Sequence, residues 1–230
     1  MNDLDRLKAT YKARELTDIN KQRYSLFNPS HLFAIQQRQR DLIALLKQSG
    51  CEDLANKKIL ELGCGTGSVL LEMLTLGVKP ASLFGVDLLF DRLQNAVKQL
   101  PTAGFGCADG QDLPYQSETF DVVMQFTAFS SVLDGVIRQK MADEMCRVLK
   151  PKGIIIWYDF WWNPINAETH GIQRAEIKAL FHGYSFTIRK VTLAPPIARM
   201  IVPISWPLGY TLESLKIFNS HYLILMRKPF

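Results

Sequence analysis

The sequence predicts an α/β fold, an open and mostly parallel sheet with helices on both faces. Three observations predict it. The apolar run Ile59-Leu60-Glu61-Leu62 passes straight into Gly63-Cys64-Gly65-Thr66-Gly67 and then into a helical pattern from Ser68 to Leu76. Two further apolar runs, 82–86 and 105–108, are each followed by an acid, Asp87 and Asp109. At 230 residues with 47% hydrophobic residues, the chain can bury one large core without a staple or a partner.

Taken in order, residues 1–27 form a charged, helix-like arm that contains Tyr11 and Tyr24. Asn28-Pro29-Ser30 punctuates the chain, and Leu32, Ile35, Leu42, Leu45 and Leu46 then recur near helical spacing, which predicts a helix from His31 to Gln48 with one face on the sheet. The first strand runs into the glycine turn. Gly63, Gly65 and Gly67 tolerate positive φ and carry no Cβ, so peptide N–H groups there can approach a ligand closely. Position 68 is Ser, so the pattern is Gly-x-Gly-x-Gly and not the longer dinucleotide spacing.

The second strand ends on Asp87. A carboxylate at that place can accept two ribose hydroxyls, or cap the helix predicted over Leu88 to Leu100, and the two roles are compatible. A third strand, Phe105 to Ala108, enters Asp109-Gly110-Gln111-Asp112-Leu113-Pro114, and a fourth spans Phe120 to Phe126. A helix from Gly135 to Leu149 leads to a fifth strand over Gly153 to Asp159. Then come a helix from Arg174 to Phe181, a strand from Tyr184 to Leu193 and a last strand from His221 to Arg227. In an open α/β sheet, ligands sit outside the carboxyl ends of the strands, so the glycines and both acids converge on one crevice.

Taken together, Glu61-Leu62-Gly63-Cys64-Gly65-Thr66-Gly67, Asp87, Ala108-Asp109, Leu113-Pro114-Tyr115, Phe120-Asp121-Val122-Val123 and Arg147-Val148-Leu149-Lys150-Pro151-Lys152-Gly153 stand in the order and spacing of the class I S-adenosylmethionine-dependent methyltransferases. The chain resembles that family over residues 56–160. The resemblance implies a Rossmann-like, seven-stranded, mostly parallel sheet with the last strand antiparallel. It also implies a single domain over 1–230: an N-terminal helical arm (1–50), a cofactor-binding core (56–160) and a substrate-side part with an apolar insertion (161–230).

S-adenosylmethionine is then the expected cofactor and S-adenosylhomocysteine the product. The resemblance places Gly63, Gly65 and Gly67 along the methionine part, Asp87 on the ribose, Asp109 on the adenine amino group and the Gln125 carbonyl on the methionine amino group. Glu61, Cys64, Leu88, Gly110 and Gln111 complete the expected cofactor set. The residues agree with a phosphate-free ligand, because the loop has no lysine and Glu61 would sit badly beside a pyrophosphate. Glu61 has a plainer reading as a buried acid paired to a cation.

Cys51, Cys64, Cys107 and Cys146 form no Cys-x-x-Cys pair, so neither a zinc site nor a disulfide framework is expected, and no metal is. The first residues lack the apolar core of a signal peptide, and no apolar run reaches spanning length, so a cytoplasmic protein without stable membrane insertion is expected. Residues 1–50 carry a net +4, 51–150 a net −4 and 151–230 a net +5. Basic flanks can meet nucleic acid or an anionic surface, but no dense basic cluster is present, and solvated helix faces explain them better. A nucleic-acid partner is not expected; a monomer or homodimer is.

The acceptor side is read from the flanks. Asp159, an acid at the carboxyl end of the fifth strand, is the leading candidate for a general base; His170 and His31 follow, since an imidazole suits proton transfer near neutrality. Tyr11, Tyr24, Phe126 and Tyr158 are candidates to face the acceptor, with ordinary packing as the plainer reading. Segment 195–219 holds Met200, Ile204, Trp206, Leu208 and Tyr210 but is broken by Pro203 and Pro207, which excludes a continuous spanning helix. Core or lid ranks first for it and membrane contact last, because a strong anionic-surface site would want about four basic residues close by.

From Trp157 onward the chain also looks like bacterial methyltransferases of polysaccharide and natural-product pathways. The expected reaction is methyl transfer to a hydroxyl or amine of a small molecule, glycan or natural product. Methylation of a ribosomal or modified peptide is the first alternative, and a non-catalytic S-adenosylmethionine-binding subunit or regulator the second. An amine acceptor needs little acid or base, whereas a hydroxyl needs its proton removed.

Overall fold

The computed structural model describes residues 3–15, 22–163, 166 and 168–229. Helices α1 (Asp3–Glu15) and α2 (Pro29–Gln48) precede β1 (Ile59–Leu62), α3 (Ser68–Thr75), β2 (Leu83–Asp87), α4 (Phe90–Gln99), β3 (Gly104–Cys107) and β4 (Phe120–Phe126). Then follow α5 (Gly135–Val148), β5 (Leu149–Phe160), α6 (Arg174–Leu180), β6 (Ser185–Leu193), α7 (Pro195–Ile201), α8 (Trp206–Ser214) and β7 (Asn219–Arg227). The sheet order is β3-β2-β1-β4-β5-β7-β6, with β7 antiparallel to both neighbours and the other adjacent pairs parallel. This is the expected seven-stranded sheet with its last strand reversed.

Alternation along the strands builds two cores. Leu60, Leu62, Val123, Ile155 and Trp157 pack on one face with Met141 and Met145 of α5 and Ile177 of α6. Ile59, Met124, Ile156 and Leu225 pack on the other with Leu42, Leu45 and Leu46 of α2 and Leu70 of α3. Strand order reverses between β1 and β4, both of which are fully buried along the stretch where they pair. The crevice at a switch point of this kind is where a ligand is expected.

Several local expectations change. Helix α2 starts at Pro29, because Asn28 Oδ1 accepts the Ser30 amide at 3.0 Å and proline suits the first turn. Its inner face is Ser30, Phe33, Gln37, Leu42, Leu45 and Leu46, while Leu32 and Ile35 are only half-buried. The cause lies across the sheet edge: Phe33 enters a small third core with Leu193, Ala198 and Val202, and Gln37 Oε1 accepts the Leu193 amide at 3.2 Å. Helix α4 begins after Leu89, so Asp87 does not cap it. Strand β5 begins at Leu149, which pairs with Phe120 before a register shift brings Ile154 opposite Val122.

Segment 195–219 is two short helices joined by a turn. Prolines occupy the first turn of each, and Ser205 Oγ caps α8 by accepting the Leu208 amide at 3.3 Å. The Phe33 ring meets Trp206 and Tyr210 edge-on or tilted, with centroids 5.2 and 5.1 Å away. The inner side of the segment therefore belongs to the core, as ranked first. No helix among the described residues is long and apolar enough to cross a membrane.

Candidate functional site

The crevice lies at the carboxyl ends of β1, β2 and β4, roofed by α1. Its cavity volume is about 140 Å³, and it opens to solvent. Gly63 and Asp87 line its floor, Leu88 and Leu89 one wall, Asp109 and Gly110 the far end, and Phe126, Thr127 and Ala128 the β4 side.

The glycine turn has the geometry the sequence demands. Gly63, Gly65 and Gly67 have φ of 72°, 53° and 80°. A Cβ on Gly63 would meet the Ala128 Cβ at 2.7 Å, and one on Gly65 the Arg92 guanidinium at 2.5 Å. Gly67 differs: its missing Cβ makes room for Ala96 of α4, at 3.2 Å. Only Gly63 of the three lines the crevice. Gly65 lies under Arg92, and Gly67 serves helix packing.

Asp87 is buried and locked in place. Its Oδ2 accepts the Gly65 amide at 2.7 Å and its Oδ1 the Leu89 amide at 2.9 Å. Each carboxylate oxygen keeps a second lone pair, so the group can still accept a pair of vicinal hydroxyls from the crevice. Asp109 holds Gln111 by accepting its backbone N–H and its side-chain Nε2–H, both at 2.9 Å. Gln111 thus orients Asp109 and does not itself line the crevice.

Three further residues of the expected cofactor set, Glu61, Cys64 and Gln125, do not line the crevice. Glu61 points to the opposite face of the sheet, wholly buried, where burial pushes its carboxyl well above the usual range and the Arg38 charge opposes the shift. The plainer reading of Glu61 as an acid near a cation is the one this geometry supports. Arg38 also bonds Glu72 and lies over the Phe126 and Tyr158 rings, 5.3 and 5.5 Å from their centroids. Cys64 is buried on that face beside Gly85, and burial raises its thiol far above the ordinary value, so it is neither ligand nor nucleophile. The Gln125 side chain is fully buried and braces the end of β4, with Oε1 accepting the Ala128 amide at 3.0 Å, and the expected contact is from its backbone carbonyl, which these side-chain bonds leave open. The turn it braces is strained: Thr127, β-branched, has φ of 61°.

The three acid–base candidates are not brought to the crevice. Asp159 is buried below the 129–131 turn, accepting the Ser130 amide at 3.0 Å and the Phe160 amide at 2.8 Å, and burial pushes its pKa up to about 6. His170 is half-exposed, 3.4 Å from Glu176. His31 packs edge-on to Tyr24, centroids 5.6 Å apart, with its pKa lowered by burial and by the Arg38 charge. Of the aromatic candidates, Tyr11 and Phe126 line the crevice. Tyr24 is exposed on the surface, and Tyr158 is buried, stacked on His221 and bonded to Thr192 at 2.9 Å.

The resemblance implies an N-terminal arm folded over the cofactor site, and α1 roofs the crevice; of its crevice-facing residues the sequence named only Tyr11. Leu4, Leu7, Lys8 and Tyr11 of α1 face the crevice, and their spacing of three to four residues is the signal that could have found the rest. The helix is anchored by polar contacts. Asp3 Oδ2 accepts the Leu133 and Asp134 amides at 2.7 and 3.0 Å, Arg6 donates to the Ser131 carbonyl at 2.6 Å and pairs with Glu168 at 2.8 Å, and the Tyr11 hydroxyl meets Ser131 Oγ at 3.1 Å. Arg92 of α4 lies over the Tyr11 ring, 4.9 Å from its centroid.

Residues 59–153 match the family described as "Methyltransferase domain". The phthiotriol/phenolphthiotriol dimycocerosates methyltransferase 1 of Mycobacterium ulcerans is 34% identical over 119 residues, covering 46% of this chain and 39% of that protein. A ubiquinone/menaquinone biosynthesis C-methyltransferase, UbiE, of Geotalea daltonii is 25% identical over 156 residues, covering 65% of this chain and 63% of its own. The match thus spans about 39% of the length of the first of these relatives. The YcgJ protein of Bacillus subtilis shares the fold, with a TM-score of 0.60 at 15% identity over 83% of this chain and 99% of that one.

Proposed function

We propose that this chain, whose residues 59–153 match a methyltransferase-domain family, is a class I S-adenosylmethionine-dependent methyltransferase that transfers a methyl group to a small acceptor held between α1 and the end of β4. The observation that carries the reading is Asp87. It is buried at the switch point, fixed by two backbone amides and next to a glycine whose Cβ the crevice cannot hold. The cofactor would supply an electrophilic methyl on a sulfonium. Gly63 would lie along it, Asp87 would take the ribose hydroxyls, Leu88 and Gly110 would enclose the adenine ring, and Asp109 would meet its amino group.

What the chain does in the reaction is align and exclude water. Leu4, Leu7, Phe126, Val132 and Met141 make the acceptor side apolar, which favours an acceptor with an apolar body. Tyr11 and Ser131, hydrogen-bonded to one another at the roof, are the polar pair best placed to orient a hydroxyl or amine on it. Given the C-methyltransferase relative, a carbon acceptor joins the hydroxyl, amine, glycan and peptide acceptors as a candidate.

Calorimetry with S-adenosylmethionine and S-adenosylhomocysteine tests the site, and isotope transfer from methyl-labelled cofactor into candidate acceptors tests the reaction. Absence of cofactor binding overturns the site. A second reading, a cofactor-binding regulator without turnover, draws on the distance of Asp159, His170 and His31 from the crevice; binding without transfer to any acceptor class would favour it.

A further inference from the structure

Away from the crevice, the turn before α2 and the outer ends of α7 and α8 put large apolar side chains into solvent. Phe27 is 98% exposed, Ile204 84%, Met200 69% and Leu26 59%. Two contacts bring these segments to one region: Ser30 Oγ donates to the Ala198 carbonyl at 3.2 Å, and Phe33 packs against Trp206; Arg199 also lies within electrostatic reach of Arg23.

We propose that this region, with Leu26, Phe27, Met200 and Ile204 as apolar prongs and Arg23 and Arg199 beside them, docks the protein peripherally on an anionic lipid bilayer. The argument is one of shape and charge. The prongs stand on element ends and turns as separate projections, the form that inserts among headgroups, whereas a protein partner would need a groove or a flat face. Burial and the nearby Arg23 charge both lower the Arg199 pKa, and an anionic surface would favour both guanidinium charges. A symmetric pairing of two copies through this patch would bring four arginines together, which disfavours a second copy as the occupant. Arg40 and Lys216 are balanced by Asp41 and Glu213, Lys216 being paired with Glu213, so the charge of the patch rests on Arg23 and Arg199, fewer than the four a strong anionic site would want, and the apolar prongs carry most of the binding.

The test is flotation of the full chain with phosphatidylcholine vesicles, with and without phosphatidylglycerol. Binding to the anionic vesicles is expected to exceed binding to neutral ones by at least about tenfold and to fall with added salt. The double change Phe27→Asp with Ile204→Asp is expected to lower partition by at least about tenfold, and Arg23→Glu with Arg199→Glu to bring it to the neutral-vesicle level. None of the four lines the crevice, so calorimetric cofactor binding and the thermal midpoint act as controls for folding. Equal partition of the parent and the apolar variant, or no binding to anionic vesicles, overturns the proposal. So does a dimer in sedimentation that Ile204→Asp alone dissolves, which would make the patch an interface between copies.

Discussion

Asp87 is held by two backbone amides before any ligand arrives, so its position costs nothing at binding. Asp87→Ala removes the ribose acceptor and strands the Gly65 and Leu89 amides. Cofactor affinity is expected to fall by roughly 30- to 100-fold, about 2–3 kcal/mol, in calorimetry, and an unchanged affinity overturns the ribose placement. Gly63→Ala sets a Cβ 2.7 Å from that of Ala128 at a φ of 72°. A loss of about 1–3 kcal/mol in urea unfolding is expected. Ala128→Gly in the same chain should restore part of it, the part due to the clash and not to the backbone.

Asp159 makes a prediction of a different kind. Its carboxyl keeps its proton to about pH 6 in the folded chain, against an ordinary value of 3.8. Between those values the unfolded chain binds fewer protons than the folded one, so this group makes stability fall as pH rises through the window, and the loss is complete above it. Urea midpoints across the window should show that decline in the parent, and Asp159→Asn should flatten it. Because Asp159 does not line the crevice, cofactor affinity at neutral pH should stay within about twofold in the same variant; a larger drop would return Asp159 to the site.

Among the elements, α2 and α1 are held in opposite ways. Helix α2 is pinned by packing, with Phe33 fully buried between β6 and the α7–α8 pair. Phe33→Ala is expected to cost about 3–5 kcal/mol, and hydrogen exchange should show protection lost first in α7 and α8. Helix α1 buries Leu7 and otherwise depends on polar contacts. Arg6→Ala removes its bonds to Ser131 and Glu168 together. Trypsin should then cut the arm faster, while the sheet's melting temperature changes little.

At the scale of the molecule, α1 and the switch-point crevice make one unit: the roof is chain-terminal and the floor is central. Bound S-adenosylhomocysteine is expected to slow amide exchange in α1 by at least about tenfold, because ligand on the floor gives Leu4, Leu7 and Tyr11 something to close against. Unchanged exchange would mean that the arm is fixed whether or not ligand is present.

The strands, the glycine turn and the acid at Asp87 were legible in the sequence, because each rests on local chemistry: an apolar run, a φ only glycine adopts freely, a charge at a strand end; the reversed last strand came from the family resemblance alone. Which way Glu61, Cys64 and Gln125 point was not legible, since neighbouring residues on a strand face opposite sides of the sheet and only the packed helices show which side holds the crevice. The same holds for Asp159, which sits at a strand end on the ligand edge yet is spent on the backbone of the 129–131 turn. Helix α2 shows the third kind of case: its inner face turned to Phe33 and Gln37 because an edge-strand amide and a pair of distant short helices needed partners. The sequence by itself thus determined the α/β class and the strand-end crevice, which follow from periodicity and turn chemistry, and through its family motifs the expected sheet and cofactor. Only the tertiary structure decided which side chains reach the crevice and which contacts anchor the N-terminal helix above it, because those depend on residues more than a hundred positions apart.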